Sequence, residues 1–156
     1  MSEALRILPG TVADLNEVMV TMAEAFDPRF GEAWTAAQCR GMLGTPGLWL
    51  ILARHGDEPA GFALARVVVD EAELLLIAVR PSARRLGTGS ALVGEIARIA
   101  AANGARRLML EMRDGNPAAR LYSAAGFAEI GRRPGYYTGR EKERFDAITL
   151  GRSLDN

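Results

Sequence analysis

The sequence of 156 residues has little of the chemistry that crosslinks a chain or anchors it in a membrane. Its single cysteine, Cys39, allows no disulfide within the chain and excludes a zinc site built from cysteines. No stretch approaches the roughly 18 apolar residues of a membrane span. The start, MSEALRILPG, lacks the basic and apolar regions of a signal peptide. We therefore expect a cytoplasmic protein with no bound metal and no membrane partner.

The chain also lacks an excess of charge of either sign. Its 19 Lys and Arg residues balance 19 Asp and Glu residues, which gives a formal net charge of zero. Because a basic surface supplies most of the affinity of non-specific nucleic-acid binding, this balance argues against a nucleic-acid partner. The length and the 49% apolar content suit a single domain over 1–156, as a monomer or a small homo-oligomer.

Apolar periodicity divides the chain into alternating strands and helices. Helix starts are predicted from the caps Thr11 with Asp14 and Thr35 with Gln38, and from Asn116 before proline. Strands are predicted at 4–8, 48–54, 60–69, 73–79, 105–112, 127–133 and 145–150. The polar segment PGYYTGREKER (134–144) is predicted to be a loop, and the apolar run at 73–79 to be buried on both faces. This order predicts a mixed α/β domain around a central sheet.

The segment RRLGTGS (84–90) follows an apolar strand and opens a helix that should end at 103–104. Free N–H groups at a helix start attract anions, and glycines let the backbone approach a phosphate closely. Arg84 and Arg85 add donors suited to phosphate oxygens. No lysine is present for a Walker loop. A dinucleotide fingerprint fits two glycines and an acid at Glu111, but Leu92 stands where the third glycine belongs. From this motif alone, a plain helix start with solvated arginines remains open.

Five segments give this turn its context, in the order DEAELLLIAV, RRLGTGSAL, RRLMLEMRDGN, ARLYSAAGF and GRRPGYY, within about residues 60–138. Together they resemble the GCN5-related N-acetyltransferase (GNAT) superfamily, and more narrowly the bacterial ribosomal-protein-alanine N-acetyltransferases (RimI type). The resemblance implies the GNAT fold: a central mixed, mostly antiparallel sheet of six to seven strands flanked by about four helices. It also implies acetyl-coenzyme A as the acetyl donor and a protein N-terminus, that of a ribosomal protein in the similar enzymes, as the acceptor.

The resemblance assigns a binding site for acetyl-coenzyme A. In the superfamily, the strand before the turn separates from its neighbour, and its backbone pairs with the pantetheine arm. Asn116 resembles the asparagine that contacts this arm, although it precedes Tyr122 by six residues rather than seven; the alternative is a helix cap. The Val79 amide would polarise the thioester carbonyl. The expected coenzyme-binding residues are Ile77, Ala78, Val79, Arg84, Arg85, Leu86, Gly87, Thr88, Gly89, Ser90 and Asn116.

Two residues match the catalytic pair of the similar enzymes. Glu111 matches the base that takes the proton of the amine, and Tyr122 matches the acid that protonates the coenzyme A sulfur. One carboxylate is enough base for an α-amino group, because with a pKa of about 7.7–8.0 roughly a tenth of it is neutral at pH 7. The alternatives are a Glu111 that faces solvent or pairs with Arg113, and a core role for Tyr122.

The acceptor groove is expected beside the GRRPGYY segment. There Tyr136 and Tyr137 match a loop that walls the groove in the relatives, with a cover over the core edge as the alternative. Phe30 and Trp34 are placed on the opposing wall by analogy.

The remaining candidates are expected to lie outside the chemistry. His55 is predicted to be an exposed turn residue, Cys39 to be buried, and Arg132 and Arg133 to face solvent. Two other functions stay open: acetylation of a lysine or a small-molecule amine on the same scaffold, and an acyl-coenzyme A-binding domain without catalysis.

Overall fold

A computed structural model describes residues 4–154 of the chain. The helices are α1 (Leu15–Ala25), α2 (Ala36–Leu43), α3 (Thr88–Ala102) and α4 (Ala119–Ala124). The strands are β1 (Leu5–Gly10), β2 (Leu48–His55), β3 (Glu58–Val68), β4 (Glu71–Val79), β5 (Arg107–Arg113), β6 (Ala128–Thr138) and β7 (Arg144–Ser153). Short 3₁₀ turns occupy Val12–Asp14, Pro28–Phe30 and Pro81–Ala83. The predicted single domain also included residues 1–3 and 155–156, which lie outside the described residues.

Within residues 4–154 the strands form one seven-stranded sheet in the order β1-β2-β3-β4-β5-β7-β6. Neighbouring strands are antiparallel except for β4 and β5, which run parallel. The parallel pair follows from the crossover through α3, since parallel neighbours need a long connection. The predicted mixed, mostly antiparallel sheet with four helices is confirmed.

The hydrophobic core lies on both faces of the sheet. On one face, Leu92 and Ile96 of α3 pack with the small side chains Ala63 and Ala65 of β3. On the other face, α1 packs with the residues of β3 that alternate with these alanines, among them Phe62. This packing fixes the start of α3 beside the end of β4.

The predicted helix starts are confirmed in part. Thr35 and Gln38 exchange both bonds of a capping box before α2, at 2.7 and 3.1 Å. Thr11 and Asp14 form the same box, but it opens the 3₁₀ turn that precedes α1. Asn116 was predicted to cap α4 directly, but it caps the turn that precedes this helix. Its Oδ1 accepts the Ala118 N–H at 2.8 Å, while α4 begins only at Ala119.

Two strand predictions were wrong. The segment predicted as a loop at 134–144 begins as strand, because β6 continues to Thr138 and pairs with β7 across a bulge between Arg133 and Tyr137. β6 is the edge strand of the sheet, where a bulge and a proline are tolerated. In β4 only alternate residues are buried, and Leu75, Ile77 and Val79 are half-buried because they border the cavities described below.

Candidate active site

A gap opens in the sheet between β4 and β5. The two strands pair only from Glu71 with Arg107 to Leu74 with Leu110. Beyond this point β5 stays with β7, where Glu111 faces Thr149, while β4 stays with β3. The second half of β4 therefore has one free edge, which the family resemblance predicted.

Backbone alternation decides which residues of β4 face this gap. The Arg80 N–H donates to the Ala60 carbonyl at the β3 edge, at 2.8 Å. Because successive backbone groups in a strand point to opposite edges, those of Val79 and Ile77 face the gap and those of Ala78 face β3. A Cβ on Gly61 of β3 would lie 2.6 Å from the Ala78 carbonyl oxygen, in agreement with this direction. The prediction that the Ala78 backbone pairs with the pantetheine arm is therefore wrong.

A cavity of about 1060 Å³ begins at this gap, and the glycine turn forms one end of it. Gly87 precedes α3 in a left-handed conformation with φ of 80°, and Arg85 is also left-handed with φ of 66°. Alternating left-handed residues at a helix start make a concave array of N–H groups that suits an anion. Leu86 lies on the outer side of the turn with 58% of its surface exposed. The predicted residues that line this larger cavity are Ile77, Ala78, Val79, Arg84, Arg85, Gly87, Thr88, Gly89, Ser90 and Asn116.

Two side chains at this turn have structural partners that sequence reasoning missed. Arg84 donates from Nε to the Val79 carbonyl at 3.2 Å and from Nη2 to the Ala25 carbonyl at 3.0 Å. It therefore joins the turn to β4 and α1, rather than standing as a free phosphate ligand. The Thr88 hydroxyl donates to the Ala83 carbonyl and lies 3.3 Å from Nε2 of His55. The prediction of an exposed His55 is wrong, since it is half-buried behind the turn.

A smaller cavity of about 370 Å³ adjoins the first. Tyr122 of α4 lies where the two meet, with its ring edge-on to Phe127 at 5.8 Å. Burial raises the pKa of the Tyr122 phenol, and the charge of Glu32 raises it further. The phenol thus stays protonated at neutral pH. The residues that line both cavities are Phe26, Glu32, Ile77, Asn116 and Tyr122.

Glu111 lines the smaller cavity from β5. Its Oε1 lies 2.9 Å from Nε of Arg133 on β6, and it accepts the Thr149 hydroxyl at 3.4 Å. The alternative pairing of Glu111 with Arg113 is wrong, because Arg113 pairs with Glu32. Arg133 was predicted to face solvent; its side chain is 62% exposed, yet its guanidinium group reaches the carboxylate. Cys39 is buried, as predicted.

Three of the four predicted acceptor-groove residues line the smaller cavity: Trp34, Tyr136 and Tyr137. The two tyrosine rings meet edge to face at 5.1 Å. Burial, with the charges of Glu32 and Glu111, raises the pKa of Tyr137 to about 12. Phe30 does not belong to this wall. It lines the larger cavity, with the Arg113 guanidinium 3.7 Å from its ring centroid.

Glu32 is the main residue that sequence reasoning missed. One oxygen accepts from Nε of Arg113 at 3.0 Å and the other from Nδ2 of Asn116 at 3.0 Å. The side chains of Glu32 and Arg113 are only 10% and 9% exposed. These two residues are 81 positions apart, and no local motif marks either as a partner of the other. Their ion pair fixes the segment between α1 and α2 against β5.

Among residues 4–154, no three His, Cys, Asp or Glu side chains converge as metal ligands. None of the helices in that range is long and apolar enough to cross a membrane.

The sequence profile of the Acetyltransferase (GNAT) family matches residues 15–127, which is more than half of the chain. The chain belongs to this acetyltransferase family. The crystal structure of the ribosomal-protein-S18-alanine N-acetyltransferase from Escherichia coli superimposes on this GNAT chain with a TM-score of 0.86 at 28% identity. That superposition covers 98% of this chain and 96% of the other. Arabidopsis thaliana NAA60 in complex with acetyl-CoA superimposes with a TM-score of 0.85 at 18% identity, over 98% and 100% of the two chains, which shows the fold alone.

Two relatives of this GNAT protein carry the name [ribosomal protein bS18]-alanine N-acetyltransferase. The Haemophilus influenzae protein is 36% identical over 96 residues, which are 62% of this chain and 66% of the relative. The Escherichia coli K12 protein is 43% identical over 95 residues, 58% and 62% of the two chains. The chain thus aligns with less than two thirds of the length of either relative.

Proposed function

We propose that the protein transfers the acetyl group of acetyl-coenzyme A to the α-amino group of a protein N-terminus. The observation that carries this proposal is the meeting of two cavities at Tyr122, one bordered by the glycine turn and the free edge of β4 and one lined by Glu111. Two substrates that occupy them together would meet at one point, so transfer would be direct and need no acyl-enzyme. The relatives named for a bS18 alanine suggest the N-terminus of a ribosomal protein as the acceptor.

The larger cavity suits two parts of acetyl-coenzyme A, its pyrophosphate and its pantetheine arm. Its glycine turn offers the amides at the start of α3 to a pyrophosphate, and the exposed Arg85 adds positive charge. The free edge of β4 offers backbone groups of Ile77 and Val79 to an amide-containing arm, as an added strand would pair. The coenzyme supplies an activated acetyl thioester at the end of that arm.

Proton transfers at the junction fall to two side chains. Glu111, in the smaller cavity, takes the proton of the attacking amine. Tyr122, which lies where the two cavities meet and is protonated at neutral pH, gives its phenolic proton to the leaving sulfur. The Val79 N–H, on the edge of β4 that faces the gap, polarises the thioester carbonyl.

An α-amine is the acceptor that this site can deprotonate with least help. A lysine, with a pKa of about 10.4, is neutral in only about 0.04% of molecules at pH 7, a deficit of nearly 5 kcal/mol in free energy. An α-amino group is neutral in about a tenth. Trp34, Tyr136 and Tyr137 provide flat walls for the first residues of a peptide. A lysine or a small-molecule amine is the alternative acceptor, and a non-catalytic acyl-coenzyme A-binding domain the alternative function.

The test compares three peptides with acetyl-coenzyme A: one with an open N-terminal alanine, the same peptide acetylated there, and the blocked peptide with an internal lysine. We expect release of coenzyme A, and a mass gain of one acetyl group, with the open peptide alone. Acetylation of the lysine peptide would favour the alternative acceptor. Binding of acetyl-coenzyme A without turnover of any amine would favour the non-catalytic function. The cytoplasmic location and the monomeric or small oligomeric state stay predictions.

A further inference from the structure

The proposed base already has a cationic partner. Oε1 of Glu111 lies 2.9 Å from Nε of Arg133, and both Glu111 and Tyr136, the ring next to Arg133, line the smaller cavity. At neutral pH an acceptor amine is mostly protonated. The resulting ammonium ion carries the same charge as a guanidinium group and, like it, donates N–H hydrogen bonds. The two cations therefore compete for one carboxylate.

Arg133 is placed to leave this carboxylate at small cost. Its side chain is 62% exposed, whereas that of Glu111 is 22% exposed. Its guanidinium carbon also lies 5.4 Å from the ring centroid of Tyr136, at the rim of the smaller cavity. A released guanidinium group would keep this aromatic contact and regain water, so that its desolvation does not oppose the exchange.

We propose that Arg133 holds the place of the acceptor ammonium on Glu111 and that the acceptor binds by exchange with it. This inference rests on the proposed function. It makes Arg133 a specificity-determining residue, because only a cationic end can replace the guanidinium group at the carboxylate. An acetylated or otherwise neutral N-terminus would leave the Glu111–Arg133 pair in place and gain nothing from its removal.

The neighbouring Arg132 offers a matched control. It lies beside Arg133 in the same edge strand and pairs at 2.9 Å with Asp114 and at 2.9 Å with Asp146. Neither of these carboxylates lines the smaller cavity. Removal of the Arg132 charge therefore changes the net charge of the strand equally without freeing Glu111.

The experiment measures the KM of an open alanine peptide at saturating acetyl-coenzyme A for wild type, Arg133→Gln, Arg133→Lys and Arg132→Gln. We expect Arg133→Gln to lower the acceptor KM about two- to five-fold, the factor of one partly exposed ion pair. The KM for acetyl-coenzyme A stays unchanged, Arg133→Lys stays near wild type, and Arg132→Gln has no effect. Calorimetry in the presence of coenzyme A should show the same gain in Kd for the open peptide and none for its acetylated form.

The outcomes separate the inference from the proposed function. Turnover of the open peptide with an acceptor KM unchanged or raised in Arg133→Gln overturns the exchange alone. An equal gain for the acetylated peptide also overturns it, because the residue would then act by bulk rather than charge. Absence of both binding and turnover of the open peptide in wild type overturns the exchange together with the proposed function. Thermal unfolding confirms that each variant is folded.

Discussion

The two cavities of this protein are built from different materials. The larger one is bordered by a free strand edge, a glycine turn and the first residues of α3, and each of these presents backbone groups to it. The smaller one is formed by side chains that arrive from distant parts of the chain and are already matched in charge. Its carboxylates Glu32, Glu73 and Glu111 pair with Arg113, Arg66 and Arg133.

This difference fits two kinds of substrate. A site made of backbone amides suits a ligand that stays the same from enzyme to enzyme, because mutation cannot replace those amides. A side-chain site can be changed residue by residue, so one fold can serve different acceptors. On the proposed function, the larger cavity holds the common donor and the smaller one selects the acceptor. Single substitutions in each cavity test this division.

Tyr122 lines both cavities, so its substitution should affect the acetyl transfer step itself. We expect Tyr122→Phe to lower kcat about 10²- to 10⁴-fold, since a phenyl ring fills nearly the same space but has no hydroxyl proton to donate. The Kd of acetyl-coenzyme A, measured by calorimetry, should stay unchanged. The control is Tyr136→Phe, because Tyr136 lines the smaller cavity but not the larger one. Equal turnover by Tyr122→Phe and wild type would remove Tyr122 from the mechanism.

Glu32 tests whether the two cavities share one support. Glu32→Ala leaves the Arg113 guanidinium buried without its carboxylate, and we expect the free energy of unfolding to fall by about 3–5 kcal/mol in denaturant titrations. Glu95→Ala, which removes the more exposed pair with Arg98 on α3, should cost about 0.3–0.5 kcal/mol. Similar losses in the two variants would mean that the Glu32–Arg113 pair does not hold the segment over the cavities.

Burial of Tyr137 in the smaller cavity should make the free energy of unfolding depend on pH in the alkaline range. The raised pKa of Tyr137, about 12 against an ordinary 10.0, means that the fold favours the neutral phenol. Its contribution is complete below pH 10 and is lost as the pH rises toward 12, by about 1 kcal/mol per pH unit. Tyr137→Phe should reduce this slope in denaturant titrations between pH 9 and 12. An unchanged slope would show that Tyr137 ionises as freely in the fold as in the unfolded chain.

The division also explains what the sequence could predict. The end of β4 and the glycine turn of the larger cavity are near each other in the chain, and RRLGTGS after an apolar strand has a direct physical meaning. The mixed, mostly antiparallel sheet of six to seven strands followed from the family resemblance, but the order of its strands did not. The misreading of Ala78 had a different origin, because the direction of its backbone depends on the register between β3 and β4.

The smaller cavity could not be predicted in the same way. The contact of Glu32 with Arg113 and that of Arg133 with Glu111 depend on how separate elements pack, and neither leaves a pattern at fixed spacing. The polar composition of 134–144 predicted a loop, but pairing with β7 overrides that composition as far as Thr138. Tyr136 and Tyr137 therefore stand on an edge strand, which places them more firmly than a loop would.

The smallest expected effect concerns the backbone of the glycine turn. Gly87 has φ of 80°, and a Cβ there would meet nothing within 4 Å, so Gly87→Ala strains the backbone without a steric clash. We expect the free energy of unfolding to fall by about 1 kcal/mol and the Kd of acetyl-coenzyme A to rise about five- to ten-fold as the turn relaxes. Gly94→Ala is the matched control, since Gly94 lies within α3 with equally open surroundings. There alanine should stabilise by about 0.5–1 kcal/mol and leave the Kd unchanged. If both variants bound acetyl-coenzyme A as wild type does, the amides of the turn would not be the groups that bind the donor. The larger cavity would then not be a backbone site.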